Sequence, residues 1–385
     1  MSDTTTSFNA SVSRRLRIGT VSIVPKVDDP SAMPFKQLMM TIGLNTGNLM
    51  FTQAMYNLLD ADVAHVGFSI NPAHINQNFD ILVVPAANWL NNYSEWDGFV
   101  DSLEKITIPV VVIGLGLQAE SMDITQVKVS DSSVRLAHFF SQSAHVMSVR
   151  GDFTKEWLAS LGITNVTTTG CPSLYMNIFN DVPESVSDSI SIQPTRYGLA
   201  SSFVKSTGIN RRLFGLSGKF DLPIIFQSES EEIEMLVHKK TAAEIAPEKT
   251  AIWAELYEKN DADELESHLQ RNGKVFFDVA AWSHFVARQL GNIGTRLHGS
   301  IISLNSGRPA YLIPHDSRTQ EVADFAGIPI LTQQDASKLE TLDDMRCLIK
   351  AETLDNYRDV RAKNQKTFIQ FLGDVGINPK FECMF

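Results

Sequence analysis

Cysteine is scarce in this 385-residue chain: Cys171, Cys347 and Cys383 are far apart and stand in no Cys-x-x-Cys or Cys-x-x-His spacing. An odd, scattered set argues against a disulfide framework and against structural zinc. Long apolar runs are missing too, and no stretch approaches the roughly 18 residues that a membrane-spanning helix requires. Met1 to Ser13 is rich in Ser and Thr and has no apolar h-region, so the sequence reads as that of a soluble, cytoplasmic protein. Positive charge is in deficit, with 33 Lys and Arg against 44 Asp and Glu, a net of −11. That field disfavours nucleic acid or an anionic membrane as a general partner, and an anionic substrate needs local Arg and Lys to overcome it. Also absent are His-Glu-x-x-His, Gly-x-Ser-x-Gly, a P-loop and paired-His spacing, so no metal site is expected.

What is present is an alternation of short apolar runs with helical patterns. Strands are expected at Arg17–Val24, Asp62–Phe68, Asp80–Pro85, Pro109–Gly114, His145–Val149 and Val166–Thr169, with helices at Asp97–Lys105, Ser132–Phe140 and Phe153–Leu161. Asn48 is the expected N-cap of a further helical stretch reaching Leu59. Asn180 to Ser189 is polar, contains Pro183 and reads as a linker. The pattern then restarts with strands at Ile190–Gln193, Pro223–Phe226, Val275–Val279, a segment ending at Arg296, Pro309–Ile313 and Ile328–Leu331. Glu229 to Glu266 holds twelve acidic and four basic residues and reads as a solvated helical surface. Interleaving of this kind predicts parallel sheets covered on both faces. The expected fold is α/β, with two Rossmann-like domains facing across a cleft. Its divisions are a polar tail at 1–16, a first domain at 17–180, a linker at 181–189, a second domain at 190–350 and a C-terminal helix and tail at 351–385. That helix, at 351–372, is expected to pack back across the first domain.

In open α/β sheets ligands bind beyond the carboxyl ends of the strands, so the residues there come first. Gly294-Thr295-Arg296-Leu297-His298-Gly299-Ser300 ends one strand and opens a small-residue helix, aiming a fixed charge and an imidazole at the cleft. A helix N-terminus lowers an imidazole pKa, and a bound phosphate raises it, so His298 becomes a competent acid when an anion is present. Arg150 ends the strand before Asp152 and suits bidentate binding of phosphate or carboxylate; a salt bridge to Asp152 or to a residue of the neighbouring domain is the plainer alternative. His315-Asp316-Ser317-Arg318 ends a later strand, and Arg318 adds a further cation or a helix-start salt bridge. Gly114-Leu115-Gly116-Leu117-Gln118 begins like a dinucleotide fingerprint, but Ala119 stands where the last glycine belongs; Gly114 and Gly116 let backbone approach a ligand or the other domain instead. Asn45-Thr46-Gly47-Asn48 is a tight turn feeding a helix N-terminus that can face an anion. Cys171, in Gly170-Cys171-Pro172-Ser173, reads as a packed turn residue and not as a nucleophile.

Taken in order, Asn45-x-Gly47-Asn48, Ser148-Val149-Arg150-Gly151-Asp152, Thr169-Gly170-Cys171-Pro172-Ser173, the Gly294–Gly299 turn, Ser306-Gly307-Arg308-Pro309 and the Pro314–Arg318 loop resemble the polysaccharide pyruvyl transferase family over roughly residues 40 to 332. The resemblance implies a fold similar to GT-B glycosyltransferases. It implies phosphoenolpyruvate as donor substrate, a sugar acceptor, free or lipid-linked, in surface polysaccharide or glycan synthesis, and a pyruvate ketal plus phosphate as products, with no cofactor. On this resemblance Arg150 and Arg296 hold the donor and His298 is the general acid, with Arg318, Asn45, Gly47, Asn48, Gly114 and Gly116 completing the binding surface. The family's early loop often reads Asn-x-Gly-Asp, where this chain has Asn48, and an acid usually follows the strand-end arginine directly, where this chain has Gly151. The alternatives are a GT-B glycosyltransferase using a nucleotide sugar and a non-catalytic anion- or sugar-binding protein.

Overall fold

A computed structural model describes residues 14–176, 185–196 and 208–380. The first four apolar runs become β1 (Arg17–Thr20), β2 (Asp62–His65), β3 (Ile81–Pro85) and β4 (Val110–Ile113), all parallel, in the order β2-β1-β3-β4. A parallel pair, β5 (Met147–Val149) and β6 (Val166–Thr168), extends this sheet through a bridge between Leu115 and Val149. The second sheet is also parallel: β7 (Ile190–Gln193), β8 (Ile224–Phe226), β9 (Gly273–Val275), β10 (Gly291–Gly294) and β11 (Ala310–Leu312), in the order β11-β10-β7-β8-β9. Strand β3 is buried at every position, as a strand covered by helices on both faces must be. The order of strands reverses between β1 and β3 in one sheet and between β7 and β10 in the other, and each reversal opens a crevice at the carboxyl ends.

Those carboxyl ends face each other. Thr46 N–H donates to Gln227 O at 2.9 Å, Val27 N–H to Phe277 O at 3.0 Å and Ser317 N–H to Ala119 O at 3.2 Å, each joining a loop of one sheet to a loop of the other. The helix Thr353–Asp374 lies across both domains. Phe368 stacks on Tyr175 of the first with ring centroids 4.8 Å apart, while Tyr357 Oη donates to Asn305 Oδ1 of the second at 2.7 Å. No helix among the described residues is long and apolar enough to cross a membrane.

Four expectations are corrected. Ile328–Leu331 forms no strand; Ile330 makes one isolated bridge to Leu312. The run Val275–Val279 divides, because Asp278 accepts from Ala280 N at 2.6 Å and so caps a helix that begins at Val279. Asn48 is not the cap of its helix, which runs Asn48–Leu58 with Gly47 at the cap position. The acidic segment does fold into helices, but Glu229 and Glu232 are buried inside the domain. Of the expected tail and linker, residues 1–13 and 181–184 lie outside the described residues, as does Cys383. Ser187 N–H, donating to Arg288 O at 2.8 Å, attaches the linker's end to the second domain.

Candidate active site

Arg150 directly follows β5 and is 1% exposed. Its Nε donates to Gly114 O at 2.9 Å. Gly114 adopts φ +69°, a conformation that strains other residues, and a Cβ on Gly116 would lie 2.9 Å from Arg150 Cδ. Gly116 therefore leaves the space through which Arg150 runs, and Gly114 supplies the carbonyl that holds it. Its guanidinium lies 5.9 Å from the Phe51 ring centroid, and Nη2 is buried with no hydrogen-bond partner. Among the described residues no carboxylate forms a salt bridge with Arg150, and Asp152 accepts instead from Thr168 Oγ1 at 2.8 Å. Burial pulls the Arg150 pKa below its ordinary value, and Arg318 pushes it the same way.

The second-domain wall begins where β10 ends. Thr295 is tied down by hydrogen bonds from its Oγ1 to Thr195 Oγ1 (2.8 Å) and Asn210 Oδ1 (2.9 Å). Arg296 then occupies the cap position of the helix Leu297–Asn305. Its Nε donates to Pro194 O at 3.2 Å, and its Nη2 bonds Ser228 Oγ and forms an ion pair with Glu229. Burial alone would raise the Glu229 carboxyl; Arg296 and the N–H groups of Gln227 and Arg196 outweigh it and hold the pKa low.

His298 sits one helical residue beyond, enclosed by both domains. Its ring is 6.0 Å from Phe51, and Nε2 is 3.7 Å from the sulfur of buried Cys171. A Cβ on Gly47 would meet His298 Nδ1 and Asn45 Oδ1 at 3.0 Å each and Gln227 Oε1 at 2.5 Å, so only glycine admits this convergence. Asn45 holds the turn by accepting from Gly47 N–H at 2.8 Å. Gln227 is fixed by a directional amide chain: its Nε2 donates to Gln193 Oε1 at 3.0 Å, and Gln193 Nε2 donates to Asn292 Oδ1 at 2.9 Å. Desolvation, reinforced by Arg150 and Arg318, holds the His298 pKa well below the ordinary imidazole value. The imidazole is neutral at physiological pH.

Arg318 completes the group. It pairs with Asp316 at 3.3 Å, while its Nε is buried without a partner. His315, whose Nδ1 is also unpartnered, is kept neutral chiefly by burial. Together with Asp316, Gln118 and Tyr93 it borders a cavity of about 840 Å³ between the domains. Asn48 lies on the other side of Phe51. Its Nδ2 donates to Ile42 O (3.2 Å) and Gly43 O (3.0 Å), a position where a carboxylate would face two carbonyl oxygens. That accounts for the amide in place of an acid.

The structure thus brings Arg150, Arg318, His298, Asn45 and Gly47 to one place. Arg296 borders it with its charge already paired, Gly114 and Gly116 act on Arg150, and Asn48 lines a neighbouring hollow. Sequence reasoning missed Glu229, Gln227, Phe51 and the nearness of Cys171 to His298. It also missed Glu321, 3% exposed, whose carboxyl accepts from Thr154 N at 3.0 Å and Oγ1 at 2.8 Å across the domain boundary. Burial raises the Glu321 pKa to about 7 against the opposing effect of Thr154. A Cβ on Gly151 would lie 2.7 Å from Glu321 Oε2, which explains a glycine where the family places an acid. Glu229 opens an acidic run and Glu321 sits within a mixed helix, so neither had a local signal.

No curated protein sequence matches the chain. Among solved structures it is similar to a putative UDP-N-acetylglucosamine 2-epimerase from Listeria monocytogenes (10% identity, TM-score 0.48, 97% of this chain and 100% of that one). It is also similar to the Methanocaldococcus jannaschii UDP-GlcNAc 2-epimerase (12%, TM-score 0.45, 91% and 100%) and to Anabaena Alr3699/HepE (8%, TM-score 0.46, 94% and 98%). The chain forms two parallel α/β domains across a cleft. Residues 45–317, most of the chain and all of the clustered site except Arg318, match the family model for polysaccharide pyruvyl transferase, and the protein belongs to that family of transferases.

Proposed function

We propose that the protein transfers the pyruvyl group of phosphoenolpyruvate to two hydroxyls of a sugar acceptor, forming a ketal and releasing phosphate, in the cytoplasmic synthesis of a surface polysaccharide or glycan. The observation that carries this reading is the meeting of two unsatisfied, buried guanidinium nitrogens, on Arg150 and Arg318, beside a histidine kept neutral. A donor carrying both a phosphate and a carboxylate supplies Arg150 with the anion it lacks and gives an acceptor to the free Nε of Arg318, whose charge Asp316 already meets. The same negative charge raises the His298 pKa, so the imidazole gains its proton when the donor is bound.

Protonated His298 delivers that proton to the methylene carbon of the enol, and the adjacent carbon becomes oxocarbenium-like. One sugar hydroxyl adds to this carbon and returns its proton to His298. The carbon–oxygen bond to phosphate then breaks with its electron pair, and the second hydroxyl closes the ketal, its proton leaving with the phosphate. Holding donor and diol together in a closed cleft supplies much of the rate. Thermal shift with phosphoenolpyruvate and with UDP- and GDP-sugars tests the reading, followed by phosphate release with methyl galactosides, glucosides and mannosides. Stabilisation by phosphoenolpyruvate and glycoside-dependent phosphate release are expected; stabilisation by nucleotide sugars alone overturns the proposal.

A further inference from the structure

Phe51 has a second neighbourhood besides the cationic centre. It forms one wall of a hollow of about 180 Å³ at the reversal between β1 and β3, whose other walls include Trp89 and Phe68. The volume equals about six water molecules at roughly 30 Å³ each, the space of a single pyranose ring. Two amides, Asn48 and Asn88, also line it. Both have their N–H groups engaged: Asn48 with Ile42 O and Gly43 O, and Asn88 with Gln118 Oε1 and with Tyr93 Oη at 3.3 Å. These bonds fix the orientation of each amide and leave each side-chain oxygen with no partner among the described residues. Among the described residues no Lys, Arg or His lines the hollow. Its chemistry is therefore the opposite of the site beside it. Aromatic faces and two lone acceptors suit a neutral ring with C–H groups on one side and hydroxyl donors at its edge.

We infer that this hollow is the subsite for one neutral hexose of the acceptor, with Phe68 and Trp89 against the ring's apolar face and the oxygens of Asn48 and Asn88 accepting from its hydroxyls. The inference rests on the pyruvyl-transfer reading for its place beside the donor, with Phe51 as the shared wall. Phe68 is 46% exposed at the mouth, so its replacement leaves the core intact, whereas Trp89 is stacked on Trp96 at 4.7 Å.

Saturation-transfer NMR on the intact protein with methyl β-galactoside, methyl β-glucoside and methyl α-mannoside tests the subsite without any donor. Wild-type protein is expected to transfer saturation to the ring protons of at least one glycoside. Phe68→Ala and Asn88→Ala are each expected to weaken that binding tenfold or more, with Phe68→Tyr restoring it. Thermal shift by phosphoenolpyruvate is expected to be unchanged in Phe68→Ala, whose own melting temperature confirms that it folds. No transfer to any of the three glycosides, or equal binding by wild type and Phe68→Ala, overturns the subsite. Sugar binding that is lost in Phe68→Ala, together with no response to phosphoenolpyruvate in any variant, leaves the subsite standing and overturns the donor reading instead.

Discussion

Arg150 and Arg296 hold equivalent places, each just past the end of a parallel strand and each aimed at the same cleft, yet their surroundings differ in one respect. Arg296 meets the buried carboxylate of Glu229 and forms a closed pair. Arg150 meets no paired carboxylate among the described residues; Glu321 acts on it electrostatically, but the Glu321 oxygens bind Thr154. A buried cation with an unsatisfied nitrogen costs folding free energy, and a protein retains it when an anion completes it later. A strand-end position thus tells where a cation sits. Whether it is available depends on a carboxylate supplied from elsewhere in the chain.

The largest test concerns the residue between the two arginines. His298→Ala is expected to lower kcat by about 10²–10⁴-fold, as removal of a general acid does; unchanged kcat in a steady-state phosphate-release assay removes His298 from proton transfer. Next is the split between the arginines themselves. Arg296→Met leaves Glu229 buried without its cation and is expected to lower stability by about 3–5 kcal/mol, with much of the loss recovered when Glu229→Gln is added. Arg150→Met is expected to leave the melting temperature equal or higher while weakening the donor's kcat/KM by about 2–5 kcal/mol. Equal losses of stability in the two variants, measured by denaturant titration, would erase the distinction.

The smallest effect is at Glu321. Its pKa of about 7, raised from 4.5, means that the folded state favours the protonated form. The stability gained from that preference is complete below about pH 4.5 and is lost as pH rises through about 7. Glu321→Gln cannot ionise, so relative to wild type it should gain stability between about pH 5 and about pH 8, by at most about 3 kcal/mol. A constant difference in melting temperature across that range would show that the carboxyl ionises freely.

Most strands were legible because β-branched apolar runs buried on both faces leave few alternatives: the segment Asp80–Pro85 appears as β3 with only its polar first residue trimmed. Ile328–Leu331 is also apolar and failed: Pro329 in its interior removes a ladder donor, and Ile330 makes a single bridge. In the site, the arginines and His298 were legible from their places at strand ends. Which arginine is already paired was not, nor that His298 is held neutral, because Glu229, Arg318 and the elements that bury the imidazole come from distant parts of the chain. Asn48 was visible as a departure from the family pattern, but the reason is three-dimensional: the carbonyl oxygens of Ile42 and Gly43 demand a donor.

The C-terminal helix carries a consequence for the order in which the chain matures. Phe368, Phe371, Leu372 and Ile377 are buried in the same core as β1, β3 and β4. Beyond them, Lys380 N–H donates to Leu58 O at 2.7 Å and Asp60 N–H to Asn378 O at 2.9 Å. The first domain is therefore missing part of its own interior until residues 368–380 have been synthesised. Apolar surface around Tyr175 and Leu59 stays uncovered throughout synthesis of the second domain, and the two halves reach their final state together once that helix docks.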